Sequence, residues 1–253
     1  MDPLVEIWQL ALLAVAGVAA GFLNVMAGGG SLLTVPIMLF MGVPGPVANG
    51  TNRIAILAQN ITAATTFFRR GYSEFRLSLS LAACAIPGAV VGALLGTELE
   101  GVWFSRTVAV IMLGVMVIMA FDNGKQEHVS SPPTRKQLWW GHVLMVGVGF
   151  YGGFIQLGVG FIIMPVLHRV MGFDLVRTNM HKVFIVASYT AVALVVFASR
   201  VEMLWLLGAV LALGNSIGGW IATRAQISKG QGLIRKVLNV VLVIFIIKLI
   251  FFP

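Results

Sequence analysis

The chain has 253 residues, 58% of them apolar and 10% charged, with a mean hydropathy of +0.96. Soluble domains carry about 25% charged residues, so a soluble surface is excluded. Apolar runs recur at close to the roughly 20 residues that a spanning helix needs, which predicts an all-α polytopic membrane protein. The net charge of +8 does not imply nucleic acid, because the Lys and Arg sit in short loops and form no continuous basic face. A single cysteine, Cys84, leaves no disulfide framework and no cysteine-rich metal site.

The first run, Leu4 to Ala27, follows Asp2 and Glu6 with no Lys or Arg before it, a poor secretory signal, so it is expected to be retained. Gly17 and Gly21 on it would let another helix approach closely. The run ends at Gly28-Gly29-Gly30-Ser31, and the apolar stretch 31–41 that follows is too short for an ordinary span. This pair either re-enters or makes two crossings, one of them broken. Gly42 to Pro46 reads as a turn. Further helices are expected over Asn49 to Phe68, over Leu77 to Leu95 with a ridge of Gly88, Gly92 and Gly96, and over Trp103 to Phe121.

These segments make a first half, residues 1–121, and residues 122–137 read as a linker containing Ser130-Ser131-Pro132-Pro133. The second half, residues 138–253, repeats the order: 138–157, 159–171, 181–198, 203–223 and 233–251. Gly29 and Gly158, Pro36 and Pro165, and Arg53 and Lys182 are each 129 positions apart. The halves therefore read as two copies of one module of about five segments, with broken or re-entrant helices at Gly28–Gly30 and Gly158–Gly160. Each copy has an odd number of crossings, so the second is expected to be inverted. Placing the loop at 69–76 inside puts thirteen of the 17 Lys and Arg on that side, with both termini outside.

Inverted repeats with interrupted helices are the pattern of secondary transporters, whose sites lie where the repeats meet. A break strands backbone polar groups in a dry layer, tolerated only where protein or a water-filled cavity receives them. Glycine admits a close backbone approach, and a helix starting near Ser31 would aim its N-terminal N–H groups at an anion. Candidate solute contacts in the first half are Asn24, Gly28, Gly29, Gly30 and Ser31, with Asn52, Arg53 and Gln59 on the next helix. Asn52, Gln59 and Thr66 recur every seven residues on one face. The second half offers Gln156, Gly158 and Gly160, then His181 and Lys182. Arg53 and Lys182 either reach the solute path or snorkel to an interface. All nine Asp and Glu lie at or near segment ends, so no Na⁺ site or carboxylate proton relay is expected, and His181 is the one internal proton carrier on offer. A cationic, carboxylate-free path favours a small anion. An inside-negative potential drives anions outward by about 2.3 kcal/mol per charge per 100 mV.

With that plan in place, the chain resembles the TauE/SafE family of membrane permeases, sometimes called sulfite exporters. The resemblance is carried by Gly21-Phe22-Leu23-Asn24-Val25-Met26-Ala27-Gly28-Gly29-Gly30-Ser31, Pro36 and Ala48-Asn49-Gly50-Thr51-Asn52-Arg53. The second half departs from the family's glycine pattern, with Leu157 and Val159 beside Gly158 and Gly160. The resemblance implies export of a small sulfur-containing anion, sulfite or an organosulfonate such as sulfoacetate. It also implies a prokaryotic inner-membrane location and allows a homodimer. No cofactor and no metal are expected. Four scattered histidines and one cysteine offer no enzymatic constellation. A passive anion channel and a non-transporting assembly or scaffold protein are the competing readings.

Overall fold

The computed structural model describes residues 7–121 and 133–226, and all its regular elements there are helices. They are α1 (Ile7–Ala27), α2 (Ser31–Phe40), α3 (Gly45–Arg69), α4 (Phe75–Glu98), α5 (Gly101–Phe121), α6 (Arg135–Phe154), α7 (Gly160–Pro165), α8 (Leu175–Arg200) and α9 (Trp205–Gln226). A π turn, Val166–Val170, continues α7. The expected segment at 233–251 and most of the expected linker lie outside the described residues. Four of the helices, α1, α4, α8 and α9, are long and apolar enough to cross a membrane. The chain is an all-α membrane protein.

Several boundaries differ from the sequence reading for local reasons. Helix α3 begins at Gly45, inside the expected turn, because Pro46 falls in the first turn, where its missing N–H has no partner to lose. Helix α6 begins at Arg135, where Thr134 and Gln137 form a reciprocal capping box. Helix α8 begins six residues early, at Leu175. Asp174 caps it by accepting from the Val176 and Arg177 N–H groups, both at 2.9 Å.

Side-chain registers give the helix directions. Gly17 faces Leu211 and Gly214, while Gly218 faces Val18 and Phe22, so α1 and α9 run parallel. The Leu204 N–H donates to Thr51 Oγ1 and Gln59 meets Asn215 and Gly219, so α3 runs with them. In the same way Gly88 faces Val146 and Phe150, and Gly92 faces Phe150 and Phe154, which makes α4 and α6 parallel. Glu74 pairs with Arg177 and Glu98 with Arg200, adding α8 to that set. Between the sets, Phe197 lies beside Gly50 while Met180 and Val183 pack with Ala63 and Phe67, so α3 and α8 are antiparallel.

Because α1 and α3 point the same way, α2 must run back between them. The chain turns at Gly28–Gly30 and returns to the end where α3 starts. At 1.5 Å per residue α2 is only about 15 Å long, half the apolar core of a bilayer. Helices α6 and α8 impose the same on α7 and its π turn. Two hairpins therefore enter from opposite ends. Helix α5 covers α2, with Phe104, Val108, Met112 and Val115 packed among Leu32, Val35 and Met38.

Glycine ridges set the spacing of α1 on α9 and of α4 on α6. A Cβ on Gly218 would overlap the Val18 carbonyl, and one on Gly92 the Phe150 carbonyl, whereas one on Gly114 or Gly147 meets open space. Gly92→Ala and Gly218→Ala are each expected to cost about 1–3 kcal/mol by overpacking. Gly114→Ala and Gly147→Ala should leave the melting point of the detergent-solubilised protein within a degree or so, about 0.5 kcal/mol or less.

Candidate solute site at the paired helix breaks

The two hairpin tips touch. The Gly160 N–H donates to the Gly28 carbonyl at 3.3 Å, and a Cβ on either glycine would overlap the other's backbone. Gly28 has φ +81° and Gly158 φ +63°. Gln156 also has a positive φ of 63°, a left-handed conformation uncommon outside glycine. The second break therefore spans residues 155–159 and includes Gln156, rather than lying within Gly158–Gly160, and Gly160 opens α7. Gly29 and Gly30 are buried, Gly30 against Ala20 and Asn24 of α1. Gly158 faces Val115 and Leu32.

Each break exposes the C-terminal carbonyls of the helix before it, which have no partner within the helix. A buried cation from the other half meets each set. Arg53 on α3 is 0% exposed, and its Nη1 donates to Gly152 O and to Gln156 Oε1, both at 3.0 Å. Its Nη2 donates to Gly153 O at 2.5 Å and to Asn49 Oδ1 at 3.4 Å, and its plane lies over the Phe197 ring. Lys182 on α8 is 3% exposed, and its Nζ donates to Asn24 O at 3.2 Å and Val25 O at 2.8 Å. Arg53 thus caps α6 and Lys182 caps α1, each positive charge at the negative end of a helix dipole. Neither side chain snorkels. This corrects the interface alternative, and the cause is the carbonyls that each break leaves bare.

The remaining polar side chains join the tips. Asn24 Nδ2 donates to Gln59 Oε1 at 3.1 Å, and Asn215 Nδ2 to the same oxygen at 3.4 Å. Ser31 Oγ donates to Gln156 O at 3.4 Å, and Gln156 Nε2 to Thr190 Oγ1 at 3.1 Å. Thr34 Oγ1 donates to Asn52 Oδ1 at 2.6 Å. Two of the N–H groups expected to face an anion at the start of α2 are occupied, Leu32 by Gly29 O and Leu33 by Gly30 O. Sequence reading missed Thr34, Asn49, Thr190 and Asn215. Asn215 sits inside the Gly214–Gly218 ridge and could have been noticed as its polar interruption.

Four buried groups have no hydrogen-bond partner here: Asn52 Nδ2, Arg53 Nε, the Tyr189 hydroxyl and the acceptor Asn215 Oδ1. Tyr189 packs on Gly152, whose carbonyl accepts from Arg53, so two of them flank one turn of α6. His181, by contrast, is apart from the tips. It shares a 2.8 Å hydrogen bond with Ser78 Oγ, and its Nε2 is 3.6 Å from Glu74 Oε2. A cavity of about 350 Å³ lies on this side, between the end of α3 and the starts of α4 and α8. Thr65, Tyr72, Glu74, Ser78 and Met180 are among its lining residues, and no residue of either break lines it.

The family described as sulfite exporter TauE/SafE matches residues 13–249. The chain belongs to that family. Similar proteins are named in the same terms. A probable membrane transporter protein, ORF9, of Sinorhizobium sp is 28% identical over 247 residues, covering 96% of this chain and 93% of the relative. A probable membrane transporter protein of Haemophilus influenzae is 26% identical, over 89% of this chain and 88% of its own length. The probable membrane transporter protein YfcA of Escherichia coli K12 is also 26% identical, over 96% and 90%. Membership in the TauE/SafE family makes the chain a membrane transporter, and the tip-to-tip junction lies wholly within the matched span.

Proposed function

We propose that the chain moves a small sulfur-containing anion, sulfite or an organosulfonate such as sulfoacetate, out of the cell by alternating access between two inverted halves. The observation that carries this reading is the set of buried donors without acceptors, Asn52 Nδ2, Arg53 Nε and Tyr189 OH. An unpaired buried donor costs about 1–3 kcal/mol, and a bound oxyanion would relieve that cost at each donor it reached. The helices around them, α1, α3, α6 and α8, contain no Asp or Glu, so nothing of negative charge competes for the place. The antiparallel pairing of α3 with α8 and the opposed hairpins suit a rocking motion that alternately frees one tip from the other. The charge bias of the loops favours an inner membrane orientation with residues 69–76 in the cytoplasm and both termini outside.

The test is a thermal-shift screen of the purified protein against sulfite, sulfate, thiosulfate, sulfoacetate, taurine and small carboxylates. A solute held at 100 times its Kd adds about 2.7 kcal/mol of stability. One or more sulfur oxyanions should raise the melting point in the native protein and fail to do so in Asn52→Ala. A panel without effect, or a shift retained in Asn52→Ala, would overturn the assignment.

A further inference from the structure

Three features lie outside the tip junction: the cavity beside α3, the Glu74–Arg177 ion pair tying the start of α4 to the start of α8, and the buried His181. They converge on one place. His181 is 0% exposed, yet its ring is sandwiched between groups that reach the cavity. From α4 and the residue before it, Ser78 bonds the ring and Glu74 faces its Nε2, and both line the cavity. From α8 and its cap, Arg177 holds the other oxygen of Glu74 through a 2.6 Å bond from its Nε, and Asp174 adds a second carboxylate. Phe173 tilts against the ring, at 4.8 Å between centroids. The Nε2 atom has no hydrogen-bond partner. Nothing in the tip junction needs this cluster, and the next residue along α8 is the cation that caps α1.

We infer that His181, bonded by Ser78 and faced by Glu74 at the wall of the cavity, forms a proton-binding site on the α4–α8 seam, through which anion movement is coupled to a proton. The coupling rests on the transport reading, but the proton site does not. With the Nδ1–H of the neutral ring donating to Ser78 Oγ, a proton arriving from the cavity is accepted by Nε2, and no bond other than O–H and N–H changes. The ring then carries a positive charge opposite Glu74, which draws α4 against α8 and closes that end. When the proton leaves, Arg177 alone holds Glu74, and the seam loosens. The bound proton also offsets one negative charge of a solute crossing in the same direction.

The test uses the full chain with ¹⁵N-labelled histidine in lipid bilayers. Solid-state NMR should show one imidazole signal, absent in His181→Gln, that changes protonation between about pH 3 and pH 8. Its midpoint should move in Glu74→Gln, because the facing carboxylate is lost. A signal fixed across that range, or a midpoint unmoved in Glu74→Gln, overturns the proton site. In proteoliposomes, an imposed sulfoacetate gradient should drive proton movement in the native protein and at least tenfold less per solute in His181→Gln. Solute flux with no accompanying proton in the native protein overturns the coupling. Absence of any solute flux counts against the transport reading instead, while the imidazole signal still decides the proton site.

Discussion

Replacing Arg53 by alanine is expected to lower stability by about 2–5 kcal/mol, from stranded acceptors and the cavity left by a large buried side chain. The guanidinium serves the Gly152 and Gly153 carbonyls and Gln156 Oε1 at once. Its removal strands acceptors at the end of α6, at about 1–3 kcal/mol for each group left bare, and opens a hole beneath Phe197. Arg53→Lys should lie between the two, since an ammonium retains the charge and lacks the planar fork that reaches two carbonyls and a side chain together. Lys182→Ala should be milder, because Nζ serves two carbonyls, Asn24 and Val25, and no side-chain oxygen. Thermal unfolding in detergent reads the order directly. An Arg53→Ala protein melting with the native one would mean that α6 finds another cap.

Gly28→Ala is the second large effect. Its φ of +81° is left-handed, a conformation that costs a non-glycine residue about 1–2 kcal/mol. Its new Cβ would also overlap the Gly160 backbone, for a further loss of about 1–3 kcal/mol. Gly160→Ala meets the same overlap without the backbone penalty and should be the milder change. The double variant should cost less than the sum of the two, because the first methyl has already pushed the tips apart. Three melting points decide this, and strict additivity would show that the tips do not touch in the folded protein.

Much of the fold is legible in the sequence because its signals are local. Triple glycine marks the first break, and the seven-residue spacing of Asn52 and Gln59 marks the buried face of α3. The second break is less legible, because Gln156 takes a left-handed conformation that nothing in its type announces. The early start of α8 is hidden too. Thr178 and Asn179 look like loop residues, yet both are buried in the first turns of the helix. The partners of the cations are the least legible of all. Arg53 acts 99 and 100 positions away, and Lys182 acts 157 and 158 positions away. Periodicity within a segment shows that a charge faces inward and carries no information about which distant carbonyl it meets. The cap on a helix from the opposite half follows only from how the two halves interlock.

That exchange of caps bears on how the protein is made. The end of α1 leaves the ribosome long before the lysine that completes it, with 158 positions between Asn24 and Lys182. At about 5–20 residues per second this is a wait of roughly 8–30 s. During it, the Asn24 carbonyl keeps the Gly28 N–H, while the Val25 carbonyl lacks the ammonium it meets in the folded protein, and a lipid environment has no water to replace it. The end of α1 is therefore completed only once α8 has been made and packed against it. A segment among the first translated thus waits for one made well past the middle of the chain.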